Sequence, residues 1–121
     1  MNKNVAVIGA GYWGKNLVRN FYELDALAAI CDKDERKLNE LKEKYPDVPL
    51  HLNHSSLFND PDIHAVAIAT PAASHYSLTK EALLAGKDVF VEKPISLHYE
   101  EGAELVDLAS SKNISWNTIL L

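Results

Sequence analysis

The run Val5-Ala6-Val7-Ile8-Gly9-Ala10-Gly11-Tyr12-Trp13-Gly14 constrains this chain more than any other stretch. Its apolar, β-branched start has the pattern of a strand buried on both faces, as in a parallel sheet. The run then breaks at a glycine cluster and continues with helical spacing, with Trp13, Leu17 and Phe21 expected on one face. Strand, tight turn and helix follow in that order. Gly9, Gly11 and Gly14 fit G-x-G-x-x-G, whose glycines serve the turn, the close approach of a pyrophosphate, and the packing of helix on strand. Unpaired amides and the positive end of the helix dipole favour an anion at such a helix start.

A glycine-rich turn can be only a turn, so context has to decide. A second apolar run, Leu27 to Cys31, ends in Asp32, eighteen residues past Gly14. A carboxylate at the tip of the second strand, about 20 residues on, is where this fold reads an adenosine ribose. The alternative for Asp32 is a helix-start acid beside Asp34.

The rest of the chain continues the alternation. A charged helix is expected from about Asp34 to Lys44, with Leu38, Leu41 and Tyr45 buried and its charges solvated. Pro46 and Pro49 lead into a short strand near Leu50 to Leu52, and Ser55 to Phe58 give one helical turn. Ala65 to Ala69 is a strand that ends at Thr70-Pro71, where proline stops the ladder. A helix from about Ser74 to Ala85 closes at Gly86. Asp88 to Val91 is a strand running into Glu92-Lys93-Pro94. Ser96 is expected to cap a helix carrying Gly102, Leu105, Val106 and Ala109, and Ile114 to Thr118 form a last strand. The expected fold is α/β: a doubly wound, mainly parallel sheet of about six strands in the order 3-2-1-4-5-6, forming one domain over residues 1–121.

Composition narrows the function classes. With 47% hydrophobic and 24% charged residues the chain is ordinary for a globular domain. A net charge of −5 leaves no basic face for a nucleic-acid backbone. The single cysteine, Cys31, excludes an internal disulfide, and its apolar strand favours a buried, inert thiol. No leader or bilayer-length apolar run is expected, and a cytoplasmic setting follows as the default.

With the glycine turn, Asp32, Ala69-Thr70-Pro71 and Glu92-Lys93-Pro94 in place, the sequence resembles the N-terminal half of the glucose-fructose oxidoreductase, inositol dehydrogenase and MocA family over essentially its whole length. Gly11-Tyr12-Trp13-Gly14 is most similar to members acting on sugars or nucleotide sugars. The resemblance implies a Rossmann domain that binds NAD or NADP, followed in full-length members by a substrate domain. It implies pyrophosphate contacts from the backbone of Tyr12 and Trp13, and ribose contacts from Asp32. Thr70, Pro71 and His75 would lie along the nicotinamide end, Glu92 would touch the nicotinamide ribose, and Lys93 would point at the substrate carbinol. No metal is expected.

Chemistry is consistent with the role of Lys93. Hydride transfer from a secondary alcohol leaves a proton to remove, and a lysine beside a cationic ring can have its pKa lowered enough to share that work. Asp32 should repel a 2′-phosphate and favour NAD, while Lys33 and Arg36 stand close enough to soften that preference.

The family's substrate domain is expected to be missing from these 121 residues. The chain is then expected to bind cofactor and to be inactive or feeble alone, a sugar-type substrate being engaged only once a substrate domain is supplied. The alternative is a stand-alone NAD-binding or regulatory module that works with a separate catalytic chain. A methyltransferase shares the first turn and the acid after the second strand, but the full glycine fingerprint and Glu-Lys-Pro argue against it. The apolar end, Trp116 to Leu121, either packs on the sheet edge or promotes self-association.

Overall fold

The computed structural model describes residues 3–92, 98–112 and 116–119. Lys93, Pro94 and Ser96 lie outside the described residues, as do residues 113–115, 120 and 121.

Six strands form one parallel sheet: β1 (Val5–Ile8), β2 (Leu27–Cys31), β3 (Leu50–His51), β4 (Ala65–Ile68), β5 (Asp88–Glu92) and β6 (Trp116–Ile119). Their order is β3-β2-β1-β4-β5-β6, as the sequence pattern implied. The helices between them are α1 (Tyr12–Glu23), α2 (Glu35–Lys44), α3 (Ser55–Phe58), α4 (His75–Leu84) and α5 (Tyr99–Ser111).

Two cores lie on the two faces of the sheet, because successive strand residues point to opposite sides. Ala6, Ile8, Val66, Ile68, Val89 and Val91 face a core closed by α3, α4 and α5 through Leu57, Leu83 and Leu105. Val7 and Ala67 face the other core, closed by α1 and α2 through Val18, Leu38 and Leu41. Strand β2 departs from strict alternation. Val5 pairs with Leu27 but Ala6 pairs with Ala29, so one extra residue, Ala28, is accommodated there. The bulge lets Leu27 and Ile30 face one core and Ala29 and Cys31 the other.

Two local details differ from the sequence reading. The buried residues of α1 are Gly14 and Val18, with Leu17 and Phe21 packed beside them, while Trp13 keeps 42% of its surface exposed. Trp13 falls in the first turn of α1, so the apolar face starts one step later than the aromatic spacing implied. In α5 the N-cap is His98, and Leu105 and Ala109 are buried while Val106 is 49% exposed. Helix α4 is preceded by a short 3-10 turn, Ala72–Ser74.

The turns have local causes. Asp25, after α1, adopts φ 58°, a conformation that short polar residues tolerate. Asp34 caps α2 by accepting from the Arg36 amide at 3.0 Å, and Glu35 at the start with Lys42 and Lys44 at the end complement the helix dipole. No helix among the described residues is long and apolar enough to cross a membrane.

Candidate functional site

The order of the sheet reverses between β1 and β4, and the carboxyl ends of these two strands open the crevice where such sheets hold ligands. Four segments meet there: the turn Gly9 to Gly11, the β2 end at Asp32, the β4 end at Thr70-Pro71, and Glu92 closing β5.

The three glycines do different work. Gly9 has φ +104°, and a Cβ on it would lie 2.7 Å from the Ala69 carbonyl oxygen and 2.8 Å from its carbon. Both conformation and space exclude a side chain. At Gly14 a Cβ would run into the Gly9 carbonyl, so α1 leans directly on the turn. Gly11 has no such demand: its φ is −75°, and a Cβ there would meet nothing within 4 Å. Within the protein nothing requires glycine at that position. The open space above it is where a pyrophosphate would come close to backbone.

Gly11 is also the N-cap of α1, which has no side-chain cap and no acidic residue in its first turn. The amides of Tyr12 and Trp13 thus belong to a first turn with no side-chain cap, with the helix dipole behind them. Helix α2, capped by Asp34, shows the contrast. The Tyr12 and Trp13 rings meet edge to face, 5.1 Å between centroids at 81°.

Asp32 is half-buried and holds two backbone amides. Ala10 N–H donates to its Oδ2 at 2.7 Å and Asp34 N–H donates to its Oδ1 at 2.7 Å. Sequence spacing placed Asp32 near the turn but did not reveal that it binds the turn. Each carboxylate oxygen has a second lone pair, so room remains for ribose hydroxyls. Lys33 is exposed, whereas Arg36 folds back on Asp34, 3.4 Å from Nε to Oδ1. The hydrogen bonds from Arg36 hold the Asp34 carboxyl below its ordinary range.

Across the crevice, Ser74 Oγ lies 2.7 Å from Thr70 Oγ1 and 2.8 Å from the Pro71 carbonyl oxygen. His75 is 2% exposed, and its Nε2–H donates to the Thr70 carbonyl at 2.8 Å. It therefore braces the Thr70-Pro71 loop from behind instead of standing in the open crevice. This contact was not visible in the sequence, where a histidine early in a helix has several readings. No group of three or more metal-ligating side chains occurs among the described residues.

Cys31, one residue before Asp32, faces the core on the α3, α4 and α5 side and is 3% exposed. Burial first, and the Asp32 charge second, push its thiol up to about 11 from 9.0. Iodoacetamide at pH 8 is expected to leave it unmodified in the folded protein and to alkylate it once urea unfolds the chain, as mass spectrometry would show. Because the folded value is the raised one, the contribution of this thiol to stability is full below pH 9 and is lost as the pH rises towards 11.

A sequence profile described as "Oxidoreductase family, NAD-binding Rossmann fold", the GFO/IDH/MocA family, matches residues 3–117. The chain belongs to this family. An uncharacterized oxidoreductase of Synechocystis sp. is 34% identical over 116 residues, which covers 93% of this chain and 31% of that protein. A glycosyl hydrolase family 109 protein of Shewanella sp. is 38% identical over 116 residues, 87% of this chain and 25% of that protein. The fold is also that of an oxidoreductase from Agrobacterium radiobacter solved with NAD+, L-tartaric acid and magnesium. Its TM-score is 0.88 at 22% identity, over 98% of this chain and 35% of that one. The chain thus spans about a third or less of the length of these proteins, and it matches the NAD-binding Rossmann domain of the GFO/IDH/MocA family.

Proposed function

We propose that this domain holds the dinucleotide of an oxidoreductase that moves hydride between NAD and a hydroxyl or carbonyl carbon of a sugar, cyclitol or nucleotide sugar. The observation that carries the reading is the open space at Gly11, set at the uncapped start of α1 and flanked by Asp32. The pyrophosphate sits on the Tyr12 and Trp13 amides. Asp32 takes the adenosine ribose. Thr70 and Pro71 flank the nicotinamide end, with His75 acting through Thr70, and Glu92, the last residue of β5, is assigned to the second ribose. When bound, the dinucleotide supplies the hydride acceptor or donor. Lys93 handles the alcohol proton. The sugar assignment draws support from the glycosyl hydrolase name of the Shewanella relative and from Gly-Tyr-Trp-Gly in the first turn.

The 121 residues by themselves are proposed to bind cofactor without turning over a sugar. A cytoplasmic setting fits the single, buried cysteine.

NAD is preferred to NADP on two counts. The Asp32 carboxylate would oppose a 2′-phosphate, and Arg36 is already engaged by Asp34. Titration with NADH is expected to quench Trp13 fluorescence saturably in the micromolar range, about 8 kcal/mol of binding, with NADPH at least about tenfold weaker. Equal or tighter NADPH binding would overturn the role of Asp32 in selectivity. Absence of binding by either would overturn the dinucleotide reading.

A further inference from the structure

We propose that Asp32 is a positioning residue for the glycine turn as well as a ribose reader, a role that rests on the dinucleotide reading of the site. The β1 to β2 ladder ends where Gly9 N–H donates to the Cys31 carbonyl at 2.8 Å. Beyond it the chain leaves the sheet at Gly9, whose φ of +104° swings the next amide, that of Ala10, towards the Asp32 side chain. Ala10 is fully buried, so water cannot take that amide. Asp32 Oδ2 does so at 2.7 Å, the short distance of a charge-assisted bond. Its Oδ1 is fixed by the Asp34 amide, also at 2.7 Å, which aims the carboxylate across the strand gap. The side chain takes over where the ladder stops and ties the β1–α1 turn to the β2–α2 turn. Ribose recognition and the shape of the phosphate-binding turn then depend on the same group.

The two roles of Asp32 predict effects of opposite sign on a ligand that has phosphates but no ribose hydroxyls. Removing a carboxylate near a phosphate subsite relieves Coulomb repulsion and by itself strengthens phosphate binding. Loosening the turn weakens it. The discriminating ligand is 2′,3′-dideoxy-ADP, compared with ADP in titrations of the 121-residue chain followed by amide NMR.

Asp32→Ser keeps an acceptor for the Asp34 amide and gives up the reach to Ala10. It is expected to lower dideoxy-ADP affinity at least about fivefold, to move the Ala10 amide proton upfield and to speed its exchange. Asp32→Asn keeps an oxygen for Ala10 without the charge, and turns its NH2 towards the Asp34 amide. Dideoxy-ADP affinity is expected to lie above that of Asp32→Ser, while the advantage of ADP over dideoxy-ADP stays reduced. If Asp32→Ser does not fold, amide exchange in the wild-type chain carries the test: Ala10 is expected to be protected, and exchange as fast as that of an open loop amide would overturn the positioning role. Dideoxy-ADP affinity that is unchanged or raised in Asp32→Ser, with only ADP affinity reduced, would overturn the positioning role alone. A wild-type chain that binds neither ligand would overturn the dinucleotide reading and this proposal with it.

Discussion

Gly14→Ala is expected to destabilise the domain by about 3 kcal/mol or more, which for a chain of this size lowers the melting temperature by roughly 10 °C. The added methyl would run into the Gly9 carbonyl, a backbone group that cannot rotate away. Relief requires α1 to lift off β1, and the buried contacts of Val18 with the core around Val7 lift with it. Helix propensity acts in the opposite direction, since alanine is better than glycine inside a helix by about 1 kcal/mol. The clash exceeds that gain. Thermal unfolding followed by circular dichroism measures the balance, and a melting temperature within about 2 °C of wild type would show that α1 does not lean on the turn as described.

The second large effect separates binding from folding. Gly11→Ala is expected to leave the melting temperature nearly unchanged and to weaken NADH binding at least about tenfold, close to 1.4 kcal/mol. At φ −75° alanine is unstrained, and its Cβ meets no protein atom within 4 Å. The lower entropy of the unfolded chain adds about 0.4–1 kcal/mol to stability, and the poorer N-cap removes a similar amount. What the methyl does occupy is the space assigned to the pyrophosphate. Isothermal titration of the variant with NADH, beside its melting curve, decides the matter. Unaltered affinity would mean that the open space at Gly11 is not where the phosphates bind.

The sequence carried most of the architecture because its signals were local and repeated. Apolar strands ending in Gly9, Asp32, Thr70 and Glu92 could only be satisfied by a parallel sheet with its loops at one edge, and the strand order followed. Contacts between distant side chains and backbone were not legible. The Ala10 amide on Asp32 joins residues 22 apart, and nothing in their types distinguishes that bond from a free carboxylate. His75 on the Thr70 carbonyl depends on how far α4 tucks under the loop, which the preceding 3-10 turn sets. The extent of the α1 apolar face was misjudged for a similar reason. Trp13 suits a helix–sheet contact by type, but the tight seat of Gly14 against the turn places that contact one residue further along and leaves the indole beside solvent.

The seat of Gly14 on the Gly9 carbonyl also bears on the entropy of ligand capture. A loop that must order around its ligand loses part of the interaction free energy in doing so. Here the turn is wedged between Ala69 on one side and α1 on the other, with its Ala10 amide already tied, so it has little freedom left to lose. On the proposed reading the phosphates would meet a mould already set, and the enthalpy of each contact would pass into affinity with little spent on ordering the chain.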